Sequence, residues 1–282
     1  MKIDEFRLSK IILSARKRMN LTQNEVSKRT GITQGTLSKI ESFHCSVSAK
    51  HWFLLSKLLD IPSSSVWTGY IDRGIKPTSP STKNVFKLPK KYFNNSYSSI
   101  KEIAPIIKFA LEKIGKERFD QHLAKLKMSD LIFFDLNNKI NYLFAYDLLN
   151  EVLKDGITES DFKQIAKFSA DLELHGVQAE QYQKKNKSSL SLLKLYLDNA
   201  AYYQDGYKYN VLKKTENEVT FELEPIESAR EYFNNIKDIL VPYNKACIES
   251  LLSNCKKEKV QVEVKEDTGN GLIQFTANAT II

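Results

Sequence analysis

The chain has 282 residues, a net charge of +8, 42% hydrophobic residues and 27% charged ones. This length suits two domains, and the composition is ordinary for a folded globular protein, which excludes disorder as the default state. No apolar run approaches the roughly 20 residues that span a bilayer, and the N-terminus Met1-Lys2-Ile3-Asp4-Glu5 carries acids and lacks the apolar stretch of a secretory signal.

Apolar residues at Leu8, Ile11, Ile12, Ala15 and Met19 recur with helical spacing and predict a first helix. Thr22 is placed to cap a second helix, with Glu25 three residues on completing a capping box. Gly31 stands where that helix must stop and the chain needs a left-handed residue. Thr33 then caps a third helix that runs to about Glu41. Ser48 caps a fourth, with Trp52, Phe53, Leu55, Leu58 and Leu59 as its expected apolar face. A fifth short element after Pro62 holds Val66 and Trp67, and both tryptophans of the chain are expected in the core.

From Arg73 to about Lys91 the character changes. Pro77, Pro80 and Pro89, with Ser79, Ser81 and Thr82, break any helical period and read as a linker. The expected division is therefore a helix-turn-helix domain at 1–72, a linker at 73–95 and an α+β domain at 96–282.

In that second domain a helix is expected from Ser96 to Ile114, with Pro105 kinking or splitting it. Further helices are expected over Asn138 to Leu153, Ser160 to Tyr182 and Leu190 to Tyr203. The period then switches to two. Lys208 to Lys214 and Glu218 to Glu224 flank a polar turn and form a hairpin candidate. A helical segment follows around Pro242 to Asn254. Strands are then expected at Lys259 to Lys265 and Leu272 to Ile282, around a glycine-containing turn. The expected fold is thus multidomain: an all-α five-helix domain, then an α+β domain of helices followed by β-β-α-β-β.

Charge singles out the first part. Residues 1–70 hold eleven Lys/Arg against five acids, so +6 of the net +8 lies there. Phosphate neutralisation by Lys and Arg supplies most non-specific DNA-binding energy, which makes a polyanion the natural partner. A helix-turn-helix also needs a small residue on its first helix, a glycine in the turn and apolar residues fixing the crossing. Ser27, Gly31 and the set Val26, Ile32, Leu37 and Ile40 meet those needs. The recognition helix enters the major groove by its N-terminal end, where Gln34, Thr36 and Lys39 project and Gly35 leaves room for close approach. Gln bonds adenine bidentately and Thr touches a thymine methyl. Gln23 suits a phosphate bond at the start of the preceding helix. The DNA-binding set read from the sequence is Gln23, Thr33, Gln34, Gly35, Thr36, Ser38, Lys39, Arg18 and Lys28.

Over residues 8–68 the chain resembles the Cro/repressor-like, or xenobiotic-response-element, family. The resemblance is carried by Leu21-Thr22-Gln23, Ser27, Gly31-Ile32-Thr33-Gln34 and Leu37-Ser38-Lys39-Ile40-Glu41. It implies a five-helix DNA-binding domain, usually dimeric on a palindromic operator. Where the family often has Gly and Pro between its third and fourth helices, this chain has Ser42-Phe43-His44-Cys45-Ser46-Val47, which puts that loop's backbone contacts to phosphate in question.

The larger domain shows no phosphate-cradling glycine loop, no His-Glu-x-x-His, no Gly-x-Ser-x-Gly and no metal-spaced Cys/His cluster, so neither an enzyme nor a metal site is expected. Cys45, Cys247 and Cys255 form no Cys-x-x-Cys pair and read as reduced thiols of a cytoplasmic protein. Cys247 and Cys255 share a helix face at most, and a redox or metal pair is the lesser reading. His122 and His175 are isolated and read as structural. Tyr196, Tyr202, Tyr203, Tyr207 and Tyr209 suit core packing, with a pocket lined by phenol hydroxyls as the alternative. The element order over 97–282, with the Tyr243-Asn244-Lys245-Ala246-Cys247-Ile248-Glu249 helix before the last hairpin, looks similar to the heme-nitric-oxide-binding-like and vinyl-reductase-like sensor fold. The Tyr-x-Ser-x-Arg heme clamp is not found, so no cofactor is implied. The resemblance suggests a sensor or dimerisation module.

The function expected from the sequence is a DNA-binding transcriptional regulator. It would be a homodimer on double-stranded operator DNA, its C-terminal domain oligomerising or taking a small-molecule or peptide effector. The alternative is an adaptor or antitoxin-like protein in which DNA binding is secondary.

Overall fold

The computed structural model describes residues 5–73, 86–94, 98–141, 143–156, 158–169, 188–199, 207–227, 230–252, 258–266 and 272–281. The N-terminal part is helical throughout: α1 (Glu5–Arg18), α2 (Gln23–Thr30), α3 (Gln34–Glu41), α4 (Ala49–Leu58) and α5 (Ser65–Thr68). Their apolar faces enclose one core that includes Ile11, Ile12, Val26, Leu37, Ile40 and Leu55, all fully buried. Trp52 packs against this core from its edge.

The remaining elements are α6 (Lys90–Phe93), β1 (Ser98–Ser99), α7 (Ile100–Lys125), a 3-10 turn at Asp130–Phe134, β2 (Lys139–Ile140), α8 (Leu143–Leu153), α9 (Glu159–Ser169), α10 (Ser189–Asn199), β3 (Tyr207–Lys214), β4 (Glu218–Pro225), α11 (Arg230–Leu252), β5 (Glu258–Glu266) and β6 (Ile273–Ile281). The four long strands form an antiparallel sheet in the order β3-β4-β6-β5, and the short β1 and β2 pair separately. Alternation decides which face is buried. Val219, Phe221 and Leu223 of β4 and Ile273, Phe275 and Ala277 of β6 all turn inward, and the Phe221 and Phe275 rings stack with centroids 5.4 Å apart. Helix α10 packs against β3, β4 and β6, and α11 runs beside α9, α8 and β5. The Ser189 hydroxyl donates to the Leu252 carbonyl at 3.0 Å and ties α10 to α11. The expected hairpins are found as β3–β4 and β5–β6, with a register shift between Val211 and Lys213 that leaves Leu212 exposed.

Several local expectations change. Pro105 does not split α7: it is buried inside the helix, and the break comes at Gly115, whose φ of 75° and ψ of 166° are non-helical. Proline already holds a helical φ and removes one hydrogen bond, whereas only glycine enters positive φ without a side-chain clash. The helix expected from Asn138 begins at Leu143, because Lys139 and Ile140 pair with Ser99 and Ser98 instead. Helix α11 starts at Arg230 and carries Pro242 within it, well before the expected start. Phe53 and Trp67 are 66% and 62% exposed rather than core. Phe53 stands two positions from Leu55, about 200° round the helix, so both cannot face inward. Leu88 and Tyr92, assigned by sequence to the linker, are buried in the core of the C-terminal domain. The ends of the helices expected to reach Tyr182 and Tyr203, together with His175, Tyr202, Tyr203 and Cys255, lie outside the described residues.

The two parts are also in contact. Helix α1 packs on the 3-10 turn, and Ile71 forms a parallel bridge with Asp135.

Candidate nucleic-acid interface

Two short helices and the turn between them are each fixed by local chemistry. Thr22 accepts a hydrogen bond from the Glu25 amide at 3.2 Å while the Glu25 carboxylate accepts from the Thr22 amide at 2.7 Å, which closes the capping box of α2. The Thr22 amide, and after it the Thr22 hydroxyl at 2.8 Å, both donate to the Glu25 carboxylate and hold that carboxyl below its ordinary pKa. Gly31 ends α2 with φ 73°, and its amide donates to the Ser27 carbonyl at 2.8 Å. Thr33 caps α3 by accepting from the Thr36 amide at 3.1 Å, and the two hydroxyls lie 2.9 Å apart.

Helix α3, the one expected to read DNA, therefore begins at Gln34 with a capped start, its outer residues open to solvent. Gln34, Gly35 and Lys39 are exposed, Thr36 and Ser38 are half-buried, Thr33 is exposed just before them, and Lys28 is exposed on α2. A methyl group built on Gly35 would meet nothing within 4 Å, so the approach to the helix is clear there.

Behind this surface runs a hydrogen-bonded chain. Arg16 of α1 grips Glu41 of α3 bidentately, Nε to Oε1 at 2.5 Å and Nη2 to Oε2 at 2.8 Å, and its Nη1 donates to the Leu21 carbonyl at 2.6 Å. Glu41 Oε2 also accepts from Gln23 Nε2 at 2.8 Å, and Gln23 Oε1 accepts from Gln34 Nε2 at 2.6 Å. One amide of Gln34 is thus aimed by three residues beneath it. A forked guanidinium–carboxylate pair supplies direction as well as energy, which suits it to the base of such a chain. Neither Arg16 nor Glu41 belongs to the DNA-binding set that the sequence suggests. The available signal was an acid, Glu41, inside the motif of an otherwise basic domain.

Arg18 is placed differently from the others. Its guanidinium lies 3.3 Å from Asp135 and 3.9 Å from Asp60 and is 22% exposed, so it is engaged with carboxylates of the protein. Burial first, and the like charge of Arg73 second, lower its pKa. The expected groove-reading residues are brought together on and around α3, while Arg18 is held towards the C-terminal domain. The loop after α3 is fastened as well: Phe43 takes φ 61° and packs edge-on against Phe6 at 5.6 Å, and the Ser46 hydroxyl donates to Glu5 at 2.7 Å. These contacts stand where the resembled family often has Gly and Pro.

In the C-terminal domain His122 is fully buried, with Nε2 2.5 Å from Asp155 and Nδ1 3.4 Å from Glu151. Tyr196 and Tyr209 pack edge-on at 6.1 Å, and Cys247 packs against the core. Among the described residues, no group of three or more His, Cys, Asp or Glu is arranged to hold a metal ion, and no helix is long and apolar enough to cross a membrane.

Residues 12–65 match the family model described as helix-turn-helix, and that match supports a DNA-binding regulator. No curated protein sequence matches the chain. Among solved structures, the chain is similar to an Fe(II) unliganded H-NOX protein from K. algicida at 11% identity, over 65% of this chain and 97% of that one, with a TM-score of 0.47. A mutant of the same K. algicida protein gives 10% identity, 64% and 96% coverage and a TM-score of 0.48. A mutant of the T. Tengcongensis H-NOX gives 12%, 64% and 97%, and 0.46.

Proposed function

We propose that this protein, which carries a helix-turn-helix domain of the Cro/repressor-like kind, is a sequence-specific transcriptional regulator that reads operator DNA with α3. The observation that supports this most is the Arg16–Glu41–Gln23–Gln34 chain, which presents an oriented amide at the exposed N-terminal end of a capped helix. A side-chain amide held in one plane is suited to bidentate pairing with adenine N6 and N7. Thr36 lies further along the approach to a thymine methyl, Gly35 admits the duplex closely, and Thr33, Ser38, Lys39 and Lys28 serve the phosphates on either side. Gln23 serves two ends, supporting Gln34 and offering its amide beside the N-terminus of α2.

One such domain makes few base contacts, so the working form is a homodimer whose second reader multiplies affinity on half-sites a helical turn apart. The C-terminal domain provides that assembly and receives the effector, and the protein is cytoplasmic and does no chemistry of its own. The test is selection of genomic DNA fragments on the purified full chain. A palindrome with half-sites about one turn apart is expected. Gln34→Ala should cost about tenfold or more in affinity for that site and relax the preference at one base position. Retention of one stoichiometric protein partner with no selected DNA, or an affinity insensitive to loss of Gln34 and Thr36 together, overturns the reading.

A further inference from the structure

The reader is fastened to the body by backbone bonds at Ile71 and by ion pairs, Lys101 with Asp72 at 2.9 Å and Lys10 with Asp130 at 3.5 Å among them, set around one fully buried acid. Ile71, Asp72 and Arg73 leave α5 and lie along the segment after the 3-10 turn. The Ile71 amide donates to the Phe134 carbonyl at 2.8 Å and the Leu136 amide to the Ile71 carbonyl at 2.9 Å. The Arg73 amide donates to Asn137 Oδ1 at 2.7 Å, and the hydroxyl of Ser14 in α1 donates to the Leu131 carbonyl at 2.8 Å. At the centre stands Asp135, with no exposed surface. Its Oδ2 meets Arg73 Nη1 at 2.7 Å and Arg18 Nε at 3.3 Å. Arg18 closes α1, Arg73 follows α5, and Asp135 belongs to the larger domain.

We infer that Asp135 is a positioning residue for DNA recognition: by holding Arg18 and Arg73 it fixes the helix-turn-helix domain on the C-terminal domain, so that the state of that domain sets the orientation of α3. The inference rests on the DNA-binding reading above. Helix α1 links the two sites. Arg18 at its end is ion-paired to the body, and Arg16, two residues earlier, anchors the chain that ends at Gln34. In the docked arrangement Gln34, Gly35 and Lys39 remain exposed, so docking leaves the reading surface open and is the binding-competent state. Removing the carboxylate leaves two mostly buried guanidiniums that share only the exposed Asp60, 3.0 Å from Arg73 Nε and 3.9 Å from Arg18 Nη2, and like charges so poorly compensated separate. With the clasp open, a specific complex has to fix the reader's orientation anew, whereas phosphate attraction needs no fixed orientation.

The test uses the full chain and Asp135→Asn, which keeps the shape and removes the charge. Amide hydrogen exchange at Ile71 and Leu136 reports the clasp. Affinity for the selected operator and for an unrelated duplex of equal length, at roughly 0.1 M salt, reports the reader. The expected result is faster exchange at both amides, about tenfold weaker operator binding and unchanged binding to the unrelated duplex. Asp135→Glu, which keeps the charge, should recover part of the loss. Combining Asp135→Asn with Gln34→Ala should lose less than the product of the separate losses, since both act on one element. Faster exchange with undiminished operator binding, or exchange that does not change, overturns the inference. If Asp135→Asn does not fold, Arg73→Gln opens the same clasp from the reader's side and is judged by the same two measurements. A wild-type chain that selects no duplex sinks the DNA reading itself, and with it the coupling. That failure is distinct, because it appears in every variant whatever the exchange rates show.

Discussion

Arg16→Ala tests the reading of the recognition surface from underneath. The Glu41 side chain is 4% exposed and that of Arg16 12%, so the mutation strands a carboxylate that water reaches poorly. Removing one partner of a buried pair costs about 3–5 kcal/mol, mostly the penalty of the charge left behind. The Leu21 carbonyl loses its donor as well. Against a whole-domain stability of about 5–15 kcal/mol, a loss of that size is large. Urea unfolding followed by tryptophan fluorescence measures it locally, since Trp52 and Trp67 are the only tryptophans and both lie in the N-terminal domain. Trp52, half-buried against the core, supplies the signal, because Trp67 already faces solvent. With a slope of about 1.5 kcal/mol per molar urea for a small domain, the midpoint should fall by about 2 M or more. Arg16→Met combined with Glu41→Leu should recover most of this, since the stranded charge goes with its partner. A midpoint that moves by less than about 0.5 M at unchanged slope would refute the argument, because Glu41 would then not depend on Arg16.

Two further outcomes concern pH. Burial pushes the Glu102 carboxyl up to about 7, against the smaller opposing pull of Lys101 and Lys139. Between the ordinary value of 4.5 and about 7 the unfolded chain binds fewer protons there than the folded one, so this group's contribution to stability falls as pH rises across that window. Glu102→Gln should remove that slope in thermal melts taken from about pH 4 to about pH 8, and a slope of equal size in the variant would rule out the assignment. Asp155 runs the other way. Hydrogen bonds from Arg118 and then His122 hold it down to about 2, so its contribution is present above 3.8 and disappears as pH falls towards 2. In Asp155→Asn, acid unfolding should start from a less stable protein but show less further loss over that interval; an acid limb identical to wild type counts against the His122–Asp155–Arg118 linkage.

The parts that were legible from sequence are those decided within a few residues. The capping box of Thr22 and Glu25, the stop at Gly31 and the cap at Thr33 each depend on neighbours no more than four positions away, and all stand in the structure as expected. Strict alternation in Glu218 to Glu224 and Lys259 to Lys265 likewise marked β4 and β5, because a strand with one buried face has no other period. Where two local rules competed, the outcome was less legible. Proline inside α7 and glycine ten residues later are both breakers, and the helix tolerated the proline and yielded at Gly115. Helical spacing at Trp52 to Leu59 marked a helix but could not say that Phe53 faces out, since that depends on which neighbours arrive.

From the chain alone came the helix-turn-helix, its capped recognition helix, its surplus of positive charge and the helices and hairpins of an α+β domain. Those features arise from short-range hydrogen bonding, side-chain period and net charge, which need no knowledge of what folds against what. Tertiary structure alone decided the rest: that Gln34 is aimed through Gln23 and Glu41 by Arg16, and that Arg18 faces Asp135 rather than open solvent. Asp135 lies 117 positions beyond Arg18 in the chain. No local pattern marks an acid as the partner of so distant an arginine, because only packing brings the two into one low-dielectric site where the pairing matters.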